Sequence, residues 1–88
     1  MTITGPTIVD ITPKNTWQKI ATNVRSGQVW VLNGIVEYLV TYRPTAGAAP
    51  TTQAEGVDLE DVHVIQANAG IDVWVMALNG VGKVRVDL

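Results

Sequence analysis

Cysteine is absent from this 88-residue chain, and histidine occurs once. Without thiols there is no disulfide and no thiolate metal site, and the redox compartment is not indicated. Charge is also scarce. Charged residues make up 16 % of the chain, against about 25 % in ordinary globular proteins. The basic residues Lys14, Lys19, Arg25, Arg43, Lys83 and Arg85 are scattered through a chain of net charge −2. They form no cluster of the kind that neutralises phosphates, so no nucleic-acid partner is expected. No apolar run approaches the ~20 residues that cross a bilayer, so no membrane partner is expected. The first residues hold neither a basic n-region nor an apolar h-region, and a secretory signal is not expected.

The hydrophobic fraction is 47 %, normal for a globular chain. The length suits a single β domain over residues 1–88. A chain of this size buries only roughly 60–65 % of its unfolded surface, so its core is thin. With no disulfide to help and few charges to keep the surface apart, an oligomer or an assembly component is the natural expectation.

Turn residues punctuate the chain at near-regular spacing, and no segment has a helical period long enough for a stable helix. Met1 to Pro6 reads as a short arm ending in Gly5-Pro6. Strands are expected over Thr7 to Ile11 and Thr16 to Thr22, with turns at Thr12 to Asn15 and Asn23 to Gly27. Gln28 to Tyr42 is the most strand-like stretch. Two apolar runs flank Asn33-Gly34, a pair suited to a type I′ turn, which predicts a β-hairpin. Further strands are expected over Val62 to Gln66, Ile71 to Leu78 and Lys83 to Leu88, with a turn at Ala67 to Gly70. The total is seven or eight short strands. The fold class is all-β, an antiparallel sandwich of jelly-roll or immunoglobulin-like type, with a small barrel as the other possibility.

Residues 43–58 break the pattern. Arg43 to Gly56 has no aliphatic side chain larger than Ala, and it carries Pro44 and Pro50. It is expected to be a long crossover loop, a partner-contacting arm, or both.

Catalytic chemistry is not evident. His63 is the one histidine and Ser26 the one serine, the latter in a predicted turn. A nucleophile, a base and an orienting group do not present themselves. Glu55, Asp58, Glu60 and Asp61 match no calcium loop. No glycine-rich loop opens a helix, so neither metal nor cofactor is expected. The aromatics are more informative. Trp30, Trp74, Tyr38 and Tyr42 can fill a core, cover a subunit interface or form a ligand platform. Trp74, Met76 and Leu78 form an apolar row opposite the core face of their strand, which a second sheet or another subunit should cover. Trp30, Trp74, Met76, Leu78, Arg43, Pro44 and Pro50 are therefore the interface candidates.

Several segments resemble small virion proteins of tailed bacteriophages. They are Thr16-Trp17-Gln18-Lys19-Ile20-Ala21, Tyr42-Arg43-Pro44-Thr45 with Ala48-Ala49-Pro50-Thr51, Glu55-Gly56-Val57, and Val84-Arg85-Val86-Asp87-Leu88. The resemblance implies a cysteine-free, all-β, non-enzymatic virion protein, made in the bacterial host cytoplasm. Its expected role is capsid decoration or cement. The expected partners are further copies of itself, as a homotrimer, and the major capsid protein or another virion protein. A carbohydrate-binding or adhesin-like module of a tail fibre or spike is the alternative.

Overall fold

The computed structural model describes residues 6–88. The expected N-terminal arm lies outside the described residues, apart from Pro6, which is exposed. The described chain is all-β. Its strands are β1 (Thr7–Ile11), β2 (Gln18–Val31), β3 (Tyr38–Pro44), β4 (Val57–Leu59), β5 (Val62–Ala77) and β6 (Gly82–Asp87). One 3-10 turn, Gln53–Glu55, lies between β3 and β4. All pairings are antiparallel, in a single sheet of order β1-β6-β2-β5-β3-β4.

Six strands replace the expected seven or eight because two predicted turns lie inside long strands. Asn23 to Gly27 belongs to β2, and Ala67 to Gly70 belongs to β5. The two segments face one another. Val24 pairs with Ile71 and Ser26 with Gln66, so Arg25 alone opposes residues 67–70. Such bulges bend a strand and increase its twist. The residues read as chain reversals instead supply the bend: Asn23 takes φ +53° and Gly27 φ +148°. At Gly27 a Cβ would also sit 2.7 Å from the Asp87 carbonyl oxygen. The sheet curls at this bend. One half holds β1, β6, the end of β2 and the start of β5. The other holds the start of β2, the end of β5, β3 and β4.

The Asn33-Gly34 hairpin does not form. The end of β2 pairs with β5 and β6, while β3 pairs with β5 and β4. Neither Asn33 nor Gly34 takes a positive φ. The segment between β2 and β3 crosses from one half of the sheet to the other. Asn33 serves that crossing, its carbonyl accepting the Tyr38 hydroxyl at 2.8 Å.

Alternate residues of both halves fill the space between them. Ile11, Val29, Ile65, Val84 and Val86 come from one side; Ala21, Tyr38, Val40, Val73, Val75 and Ala77 come from the other. Burying each aliphatic side chain of valine size or larger stabilises the fold by about 1.5–3 kcal/mol. Tyr38 also ties the halves by hydrogen bonds. Its hydroxyl accepts the Lys83 backbone N–H at 3.1 Å while donating to Asn33.

The opposite face of β3 and β5 is also covered. Leu39 pairs with Met76 and Thr41 with Trp74, and Leu39, Met76 and Thr41 are all buried. Thr41 donates its hydroxyl to the Glu55 carbonyl at 2.8 Å. The cover is the 43–58 segment. Gly56 lies against Trp17 and Leu39, and the Trp17 indole donates to the Thr52 carbonyl at 3.0 Å. This segment joins adjacent antiparallel strands of the same sheet, and Arg43 and Pro44 are the last residues of β3.

Candidate functional site

The strand register places an apolar row on the outside of the first half-sheet. Ile8 of β1 pairs with Arg85 of β6, Arg85 with Trp30 of β2, and Trp30 with Val62 of β5. The adjacent row runs Asp87, Gln28, Val64. Ile8 is 63 % exposed, Val64 52 %, Val62 40 % and Trp30 36 %, and Leu32 beside them is 45 % exposed. The Arg85 guanidinium carbon lies 5.3 Å from the Trp30 ring centroid. One of its nitrogens donates to Asp87 at 3.0 Å. Such a cation–π contact is worth about 0.5–1 kcal/mol at an exposed site, and here it also flattens Arg85 onto the face.

The interface candidates from sequence are not brought together. Trp30 lies in this outer patch, and Pro44 is exposed at the end of β3. Met76 and Pro50 are buried by the chain itself. Trp74 is half-buried beneath Lys19, whose ammonium lies 5.4 Å from the ring centroid. Leu78 is half-buried and its backbone N–H bonds the Glu37 carbonyl at 2.8 Å. Arg43 is half-buried and ion-paired with Glu55. Ile8, Val62, Val64 and Arg85 were not singled out from sequence. The period-2 alternation of Val62, His63, Val64 and Ile65 was visible, but both faces are apolar enough that the pattern does not say which is outside.

A second feature is the seam where the curled sheet stays open. β4 pairs only with Tyr38–Val40, which leaves the rest of β3 without a strand neighbour on that side. The first half of β5 pairs only with β2. Between them lies a groove of about 310 Å³ lined by Val40, Thr41, Tyr42, Glu55, Val57 and His63. The Tyr42 hydroxyl lies 2.5 Å from His63 Nε2. The rings meet edge to face, with centroids 5.5 Å apart. Burial raises the Tyr42 phenol above its ordinary value and lowers the His63 imidazole below its own. Glu55 accepts the backbone N–H groups of Thr52 and Thr51, each at 2.7 Å. These donors, with Arg43 adding to them, hold its carboxyl at about 2.

A third depression, of about 430 Å³, gathers Glu37, Asp58, Glu60 and Asp61. Among the described residues no three His, Asp or Glu side chains come together in a way that could hold a metal ion. Ser26, paired with Gln66, does not line the seam groove.

Comparison with known proteins returns no match to any family model, curated protein or solved structure.

Proposed function

We propose that the protein is a non-enzymatic structural subunit of a bacteriophage virion, a capsid decoration or cement protein. In this reading it works as a homo-oligomer, a trimer by the resemblance of its sequence, held on the major capsid protein or another virion protein. The curled sheet is read as a sandwich of jelly-roll or immunoglobulin-like type whose layers share β2 and β5. The observation that carries the assembly part is the outer row Ile8–Arg85–Trp30–Val62 with Val64 and Leu32 beside it. These side chains expose on the order of 500 Å² of apolar surface, the size of the largest patch on a typical monomer, and such patches are often functional. With their polar neighbours they approach the roughly 800 Å² per partner that a standard interface buries. Tryptophan and arginine, the central pair, are the residues most enriched at energetic centres of interfaces. Lys83 and Asp87 flank the patch with opposite charge, so a second copy can meet it without facing a single sign.

Light scattering after size exclusion tests the assembly. Wild type is expected at a multiple of the 9.5 kDa chain mass. The double variant Trp30→Ser, Val64→Asp is expected at that mass itself with its β-sheet circular dichroism intact. A monomeric wild type sinks the self-assembly reading. It would favour the alternative, in which the exposed Trp30 ring with Gln28 and Asp87 beside it receives a carbohydrate, and a glycan array would then show binding that Trp30→Ser abolishes.

A further inference from the structure

The free strand edges of this sheet are not alike among the described residues. β1 is five residues long, follows Pro6 and carries Asp10. β4 is three residues long and carries Asp58. The first half of β2 holds Lys19 and Arg25 in an irregular register. The end of β3 holds Arg43 and Pro44. Short length, charge, proline and bulges are the features that keep a strand edge from pairing with another chain. The first half of β5 has none of them ahead of its bulge. Val62 to Gln66 pair with β2 on one side only, and no charged residue or proline occurs between Asp61 and Asp72. We propose that this edge pairs with the same edge of a second copy, antiparallel across a two-fold axis, so that two half-sheets become one continuous sheet. Resting on the self-assembly reading, this edge is the contact within it that joins copies through the backbone.

The strand's own sequence selects the partner. A two-fold centred on Val64 sets Val64 against its mate, Val62 against Gln66 and His63 against Ile65. Val62 and Val64 are exposed, and no like charges come directly opposite. Charge also fixes the direction. Asp58, Glu60 and Asp61 lie just ahead of β5, and parallel pairing in register would bring two such acidic ends together. Antiparallel pairing instead sets Asp61 beside Ala67 of the other copy. The two Asp61 residues are then six positions apart, about 20 Å at roughly 3.4 Å per residue, well beyond the screening length of about 10 Å. Ala67 begins the bulge that Arg25 of β2 opposes. Arg25 is exposed and makes no ion pair among the described residues, whereas Arg43 and Arg85 each hold a carboxylate. The incoming acidic end therefore arrives next to the one arginine without an anionic partner. The contact runs along the strand edge and leaves the row Ile8–Arg85–Trp30–Val62 open on both copies. Because it is two-fold, a trimer built through that row becomes a hexamer, and without a row contact the assembly is a dimer.

Oxidative cross-linking tests the pairing, since the chain has no cysteine of its own. Val62, Val64 and Gln66 are exposed, so substitutions there leave the core intact. Val64→Cys is expected to form a disulfide-linked dimer at least about tenfold faster than Ile35→Cys, because pairing raises the local concentration of its mate. Ile35, 87 % exposed and far from this edge in the chain, reports random collision. Directly opposed residues have Cβ atoms about 4.5–5.5 Å apart, which a disulfide closes with a small shift. Val62→Cys alone is expected to stay at the collision rate, its mate lying about 14 Å away. Mixed with Gln66→Cys before oxidation, it is expected to give the mixed dimer. Light scattering of untreated wild type separates this contact from the assembly reading. An oligomeric wild type without excess cross-linking at Val64→Cys overturns the edge pairing and leaves assembly through the outer row standing. A monomeric wild type overturns both. Val62→Cys linking to itself as fast as Val64→Cys overturns the register and the two-fold with it.

Discussion

The Asp72 carboxylate of β5 accepts the backbone N–H of Asn23 of β2 at 3.0 Å, across the point where both long strands bend. Its second oxygen takes the Ala46 N–H at 3.4 Å, and Lys19 closes the set at 3.4 Å. Asp72 is almost fully buried, with 1 % of its surface exposed. One side chain thus joins the bulge of β2, the bulge of β5 and the loop leaving β3. The backbone donors that a bulge frees from the ladder must bond elsewhere, and a carboxylate offers acceptors in several directions.

Asp72→Asn is therefore expected to destabilise the protein, because the amide presents a donor where the carboxylate accepts. The Asn23 N–H, burial notwithstanding, holds the native carboxyl below its ordinary 3.8, with Ala46 and Lys19 assisting. The stability tied to that charge is present above 3.8 and lost as pH falls through the lower native value. Urea denaturation from about pH 2 to 7 should show a wild-type advantage at neutral pH that narrows in acid. A gap that stays constant would assign the effect to shape alone.

Gly56→Ala should cost about 1–3 kcal/mol, the usual range for forcing volume into a packed site. An added Cβ would lie 2.6 Å from Trp17 Cη2 and 3.0 Å from Leu39 Cβ. Gly34 is the control, since a Cβ there meets nothing within 4 Å. Gly34→Ala should stay within about 0.5 kcal/mol of wild type in the same melts. Equal losses at the two sites would mean that the cover formed by residues 50–56 is looser than its contacts indicate.

Tyr38→Phe removes the hydroxyl that joins the Asn33 carbonyl to the Lys83 N–H. The ring remains to fill the core, so the loss isolates the polar bridge. Destabilisation of about 1–3 kcal/mol is expected in chemical denaturation, with both backbone partners left unpaired. An unchanged midpoint would mean that water replaces the hydroxyl at both.

Face assignments were legible in sequence where alternation was clean. Val29 against Trp30, Val73 and Val75 against Trp74 and Met76, and Val84 and Val86 against Arg85 all follow the expected pleat. Pairing partners were not legible. Asn33-Gly34 is a strong local hairpin signal, but the end of β2 has two hydrogen-bonding edges that β5 and β6 satisfy, and tertiary pairing prevails over a two-residue preference. Asn23 to Gly27 and Ala67 to Gly70 have turn composition because a bulge needs the same backbone freedom as a turn. Only their apposition separates the two uses, and apposition is a long-range fact. Met76 reads from sequence as an open interface residue because nothing in residues 43–58, with their small side chains and prolines, announces a lid. Tyr42 and His63 lie 21 positions apart, with no spacing that marks them as a pair.

The strand order carries a kinetic consequence. Of the pairings in this sheet, only β3 with β4 joins strands that follow one another in the chain. Every other ladder closes a longer loop, and β1 waits for β6 from the far end of the sequence. Loop entropy is lost before such contacts return anything, so folding in milliseconds to seconds is the expected regime rather than microseconds. On the ribosome, β1 and the end of β2 have no β6 to pair with until Gly82–Asp87 emerge. During that interval the same apolar strands that later form the core and the outer row are open to other chains.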